Sequence, residues 1–273
     1  MPSLFFIFIN LKTNMKYCRW FIIVLLFASC QSKDGDFNVF SAAQDVDMGK
    51  KYAAEIANDP KTFPLLNEQD YPEAYAVVRN IVHTITQSSH LYYADEFAWE
   101  VHIINNDSIL NAFCTPGGYI YVYTGLIKYL DSEDQLAGVI GHEIAHADLR
   151  HSTEQMTKQY GVGLAVELIF GSSTASSIAG SLVNLSFSRT DETEADMQSV
   201  LYLYDTDYDP RGVARFFEKL ESGGQSSGPL QFLSTHPNPE NRVEKIFAKW
   251  KELGSKKGER YKERYQKMKL TLR

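Results

Sequence analysis

The chain has 273 residues, 44% of them hydrophobic and 22% charged, a balance that excludes general disorder and provides for one sizeable globular core or two small ones. Lys and Arg number 27 against 34 Asp and Glu, a net charge of −7 that argues against a nucleic-acid partner. Three cysteines, Cys18, Cys30 and Cys114, are too few and too scattered for a disulfide framework.

From the N-terminus, Lys16 and Arg19 precede the apolar run Trp20–Phe27, and Ala28 and Ser29 lead into Cys30. A basic start, a short apolar run and small residues at a cleavage point read as a secretory signal. The run is too short to span a bilayer, which takes about 20 residues. With cysteine directly after the small pair, the segment resembles a bacterial lipoprotein signal. That implies a signal peptide over 1–29, lipidation of Cys30, and a polar tether within 30–40. Met15 is a second start that gives a signal of ordinary length, so residues 1–14 read as a mis-assigned start.

Helical spacing of apolar residues predicts helices over Ser41–Ala57, stopped by Asn58-Asp59-Pro60, and over Tyr71–Ile85. Alternation over Phe97–Ile104 predicts a half-buried strand, and the β-branched and aromatic run Gly118–Tyr123 a second one. Ser132 opens the next helix, with Gln135 placed for a capping box and Glu133 and Asp134 at the positive end of the helix dipole. The small-residue segment Gly161–Ser186 predicts two short packed helices. Its alternative, a membrane hairpin, is interrupted by Glu167, Ser172–Ser177 and Asn184. Helices follow at Arg189–Tyr204, Arg211–Glu221 and Pro239–Lys251, with a loop at Gly223–Gly228. The fold class is therefore α+β, mainly helical, with one domain over 41–251. The basic tail, 252–273, has Tyr261, Tyr265 and Met268 near helical spacing. It reads as an amphipathic helix covering part of the acidic body, or as a contact for anionic lipid or an envelope protein partner.

The chemistry concentrates in His142-Glu143-Ile144-Ala145-His146. Positions i and i+4 of a helix differ by about 40° round the axis, so both imidazoles leave one face and can grip one cation. Glu143 stands about 100° round and reaches a water without ligating the metal. A catalytic zinc usually takes three protein ligands. The metzincin spacing fails, because Leu149 and Ser152 stand where it needs Gly and His; His151 misses by one residue and reads as a polar position late in the helix. Downstream, Glu192 and Asp196 are again i and i+4. One carboxylate can bind metal while the other takes a hydrogen bond from a ligand imidazole and fixes its tautomer.

The blocks Asn111-Ala112-Phe113, Pro116 to Val122, Thr124-Gly125-Leu126, Gly141 to His146, Arg150-His151, Glu192 to Asp196, and His236-Pro237 with Arg242 resemble, in their order, a family of zinc metallopeptidases. Its members include the CAAX prenyl endoprotease, the membrane protease HtpX, the mitochondrial protease Oma and the outer-membrane assembly protease BepA. The resemblance implies a zincin-like domain with an active-site helix, a small sheet with an open edge strand, and one Zn2+ per chain. His142, His146 and Glu192 would be the ligands, Glu143 the general base, Asp196 the orienter of a ligand histidine, and His236 a catalytic residue near the zinc or the transition state. Polypeptide substrate would lie extended along Gly117, Gly118, Tyr119, Ile120 and Tyr121, pairing with that strand's edge. Cys114 reads as a small buried residue. The expected activity is that of a metalloendopeptidase acting on misfolded or misassembled proteins of a bacterial envelope, held at the periplasmic face of the outer membrane by Cys30. The alternative is a chaperone-like or scaffolding lipoprotein with a latched zinc site.

Overall fold

A computed structural model describes residues 38–170, 185–222 and 230–272. The signal peptide, Cys30, most of the tether, the loop Gly223–Gly228 and residues 171–184 of the small-residue segment lie outside them. In chain order the described elements are α1 (Ala42–Ala57), α2 (Pro72–Thr86), β1 (Glu100–Ile104), β2 (Ala112–Thr115), β3 (Tyr119–Tyr123), α3 (Thr124–Tyr129) and α4 (Glu133–Asp148). There follow α5 (His151–Phe170), α6 (Arg189–Tyr204), α7 (Gly212–Ser222), α8 (Leu230–Thr235), α9 (Arg242–Glu252) and α10 (Lys262–Lys269). The mainly helical α+β class is borne out. Among the described residues no helix is long and apolar enough to cross a membrane.

Local chemistry explains most boundaries. Ser41 caps α1 in a reciprocal box with Gln44, and Pro72 occupies the first turn of α2, where its missing N–H costs nothing. The first strand starts at Glu100 and not at Phe97, because Trp99 turns out of line at φ 46 and the Ala98 N–H donates to the Gly117 carbonyl at 2.8 Å. Helix α9 starts at Arg242, after Asn241 at φ 57. Gly161, at φ 68, breaks α5 where the small-residue segment begins.

The sheet corrects one expectation. Its order is β1-β3-β2, with β1 parallel and β2 antiparallel to β3. Tyr119–Tyr123 is thus the central strand, paired on both sides, and offers no edge to a substrate. The edge nearest α4 belongs to β2, four buried residues whose lack of alternation hid them in the sequence. Gly117 and Gly118, at φ 77 and 87, form the β2–β3 turn. A Cβ on Gly117 would come 2.8 Å from the Asp45 carbonyl, and one on Gly118 3.0 Å from the Trp99 nitrogen. Their smallness thus serves the approach of the chain to itself.

Helix α4 runs through the middle of the molecule, and all 16 of its residues are buried. Two glycines let its neighbours come close. Gly138 faces the start of α7, where a Cβ would lie 2.1 Å from the Val213 nitrogen, and Gly141 faces Ser199 of α6, whose hydroxyl donates to the Gly138 carbonyl at 2.9 Å. The capping box expected at its N-terminus is absent: the Gln135 side-chain oxygen Oε1 accepts instead from the Asp131 N–H at 2.7 Å. The orphan Glu133 N–H donates to the carbonyl of Arg260, from the C-terminal segment, at 3.1 Å.

That segment packs as well as caps. Tyr265 and Met268 of α10 are buried, and the Tyr265 hydroxyl donates to the Ile127 carbonyl at 2.8 Å. Arg264 pairs with the fully buried Glu133 carboxylate, which also accepts the Tyr208 hydroxyl at 2.6 Å. Arg264→Ala should cost about 1–2 kcal/mol, since Glu133 keeps one partner and water can reach the half-exposed arginine position. A lowered urea midpoint with an unchanged slope would show it.

Candidate metal centre

Four helices bring the site together. His142, Glu143 and His146 project from α4. Glu192 and Asp196 come from α6, whose first turn is held by a box between Ser188 and Asp191. His236 follows α8 directly, its N–H donating to the Phe232 carbonyl at 2.8 Å, and Arg242 opens α9. His142, His146, Glu192, Asp196, His236 and Arg242 are all at most 2% exposed.

His142, His146, Glu192 and His236 each turn one ligand atom to a common point, all within 4.8 Å of one another. His142 Nε2 lies 3.0 Å from His146 Nε2 and 3.3 Å from His236 Nδ1. Glu192 Oε1 is 3.0 Å from His236 Nδ1 and 3.4 Å from His146 Nε2. A tetrahedral ion with arms of about 2.0–2.1 Å sets its ligand atoms about 3.3 Å apart, and these spacings scatter round that value.

Two further observations fit a cation. Glu143 Oε1 is buried, has no hydrogen-bond partner, and sits 3.5 Å from His236 Nε2. The carboxylates of Glu143, Glu192 and Asp196 are buried with Arg242 as their only arginine among the described residues, so a divalent cation would balance the surplus charge. Arg242 donates from Nε to Asp196 at 2.6 Å and from Nη2 to Glu192 at 3.0 Å, and its guanidinium lies 3.7 Å from the centre of the Phe217 ring. It ties the two carboxylates to each other. The sequence offered Arg242 only as part of a block, without a role.

The electrostatics separate the groups. Burial pushes the Glu143 carboxyl up to about 7, a value suited to taking and returning a proton at neutral pH. Burial holds His146 well below the ordinary histidine range and so keeps it neutral, as a ligand must be. For His142 burial works the same way, but the Asp196 and Glu192 carboxylates outweigh it and hold the pKa above the usual value. Burial opposes the charge on Glu192 too. It is overcome by His236 and by hydrogen bonds with His142, His146 and His236, which hold the carboxyl far below the ordinary range. Asp196 faces His142 Nδ1 at 3.0 Å, the place foreseen for an orienter. Burial and then the Glu143 charge push the Cys114 thiol well up, which marks it as inert.

The structure thus gathers His142, Glu143, His146, Glu192, Asp196 and His236 at one point. Tyr119, Ile120 and Tyr121 stand apart from them in the sheet interior, and Gly117 and Gly118 in the turn beside α1.

Residues 72–249 match the family described as Peptidase family M48. The mitochondrial metalloendopeptidase OMA1 of Arabidopsis thaliana is 37% identical over 57% of this chain and 32% of its own length. That of Schizosaccharomyces pombe is 36% identical over 55% of this chain and 46% of its own length. The beta-barrel assembly-enhancing protease of Escherichia coli is 29% identical over 76% of this chain and 44% of its own length. The chain therefore spans less than half the length of these relatives. Since the match covers well over half the chain and includes every member of the metal cluster, the chain belongs to peptidase family M48, the zinc metallopeptidases.

Proposed function

We propose that this protein is a zinc-dependent endopeptidase that hydrolyses peptide bonds in misfolded or misassembled proteins of a bacterial envelope. The observation that carries the reading is the unpaired Glu143 Oε1 beside the converging His142, His146 and Glu192. A bound zinc supplies a Lewis acid that lowers the pKa of water and polarises a carbonyl oxygen. Glu143 takes the proton of the attacking water at its free oxygen and returns it to the departing amide nitrogen. Asp196 and Arg242 hold His142 and Glu192 in place while charge develops. Substrate pairs as an added strand with β2, whose outer side carries no strand among the described residues and which packs against α4.

The envelope setting rests on the lipoprotein-like segment ending at Cys30 and on the likeness to the beta-barrel assembly-enhancing protease of Escherichia coli. In this reading the Cys30 lipid holds the chain at the periplasmic face of the outer membrane. Contact with an envelope protein partner would fall to the exposed Lys257, Lys262 and Lys267, because Arg264 and Lys256 are engaged within the chain. The net charge of −7 argues against nucleic acid as a partner. Casein cleavage by the purified chain should stop with a zinc chelator and return when zinc is restored. Cleavage indifferent to chelator would defeat the proposal.

A second reading has its own observation. His236 turns Nδ1 to the same point as the three expected ligands, and a fourth protein ligand closes a zinc site. On this reading the chain is a chaperone-like or scaffolding lipoprotein whose latched zinc is weakly active. His236→Ala separates the two: cleavage should rise several-fold if His236 is a latch, and fall by about 10-fold or more if it stabilises the transition state.

A further inference from the structure

One buried histidine near the cluster has no role in the reading above. On an unbroken helix His151 would stand five positions after His146, about 140° round the axis and on another face. Arg150 prevents this by adopting φ 63, which ends α4 and restarts the chain as α5 at His151. The turn is anchored, since Arg150 donates to Asp45 from Nε at 2.6 Å and to the Phe40 carbonyl at 2.5 Å. It brings His151, 3% exposed, back against His146, with the two Nδ1 atoms 2.9 Å apart. On its far side, His151 Nε2 lies 3.4 Å from Glu194 Oε2.

These contacts admit one consistent arrangement of protons once His146 Nε2 faces a metal. His146 must then carry its proton on Nδ1 and donate it to His151 Nδ1, which must present a lone pair. His151 therefore carries its own proton on Nε2 and donates it to Glu194. Phe187, stacked on the His146 ring with centroids 3.9 Å apart, fixes the plane of that ring but does not distinguish its tautomers. Beside His142 Nδ1 stands a carboxylate, Asp196, at 3.0 Å. A second carboxylate against His146 would add charge to a cluster already rich in it, and a neutral imidazole between His146 and Glu194 avoids that.

We propose that His151 and Glu194 form a positioning relay that holds His146 in its Nδ1–H tautomer, with the Nε2 lone pair presented to the metal. The relay rests on the reading that the cluster binds a metal, and its test separates the two. The first measurement is ring-nitrogen NMR on the metal-free chain, where His146 should show a protonated Nδ1 and His151 a protonated Nε2. An unprotonated His146 Nδ1 overturns the relay whatever the metal result. The second is zinc affinity by competition with a chelator, alongside melting of the metal-free protein. His151→Leu should weaken zinc binding about 10–100-fold, the usual cost of losing such a partner. His151→Gln, whose amide can accept from His146 and donate to Glu194, should recover most of it. Glu194→Leu, at a position 42% exposed and so tolerant of change, should weaken binding by a smaller factor with metal-free melting unchanged. Zinc affinity within twofold of wild type in His151→Leu, or an equal defect in Leu and Gln variants, overturns the relay. If His151→Leu does not fold, the wild-type tautomers and Glu194→Leu decide. A wild-type chain that binds no zinc defeats the metal reading and leaves the tautomer result to stand for or against the relay.

Discussion

Glu143→Gln should retain a full complement of zinc and lose casein cleavage by about 10²–10⁴-fold, the range general acid–base groups supply. The two readouts separate because Glu143 stands outside the four atoms that converge, yet its buried Oε1 lacks a partner beside them. Glutamine preserves the shape and removes the ability to take a proton. Glu192→Ala should do the reverse and lose the metal first. It deletes a ligand atom 3.0 Å from His236 Nδ1 and leaves the buried Arg242 with Asp196 alone. Elemental analysis of both variants beside the wild type, with cleavage in parallel, checks the pair. Cleavage by Glu143→Gln at the wild-type rate would overturn the assignment of the base, and full zinc in Glu192→Ala that of the ligand.

Gly212→Ala should be among the most damaging small substitutions outside the site, at about 4 kcal/mol or more, the range reserved for failures of packing with nowhere to relax. A methyl there would sit 1.8 Å from the Asp134 carbonyl oxygen in α4. The obstacle is backbone in the central helix, which cannot swing aside as a flexible side chain would. The gap is matched from the other direction, where Gly138 faces the Val213 nitrogen, so the two helices meet glycine to backbone twice. The expected result is poor soluble yield or a much lowered urea midpoint. A midpoint close to wild type would mean that the two helices can part without loss.

What the sequence disclosed of this site follows the range of the interactions. His142, Glu143 and His146 were legible because helical geometry alone puts them on neighbouring faces, and Glu192 with Asp196 for the same reason. His236 was legible only through resemblance, since its place depends on how α8 returns to α4. Two residues escaped. Arg242 joins Glu192 to Asp196 from another helix, and His151 meets His146 only because Arg150 takes a left-handed turn, a conformation that arginine does not announce. The sheet misled for a related reason. The aromatic run Tyr119–Tyr123 proclaimed a strand, but whether a strand is central or at an edge depends on its neighbours, and β2 is too short to show a period.

The docking of the C-terminal segment on the head of α4 also orders events in time. Arg264 meets Glu133 across 131 residues, and the carbonyl that caps the helix carrying the metal ligands comes from Arg260. A ribosome delivers His142 and Glu143 long before it delivers either arginine, so a nascent chain holds these residues while the helix under them still lacks its cap and its partners. The helix that carries His142 and His146 is therefore fully seated only once residues more than a hundred positions beyond its start have been made and docked on it.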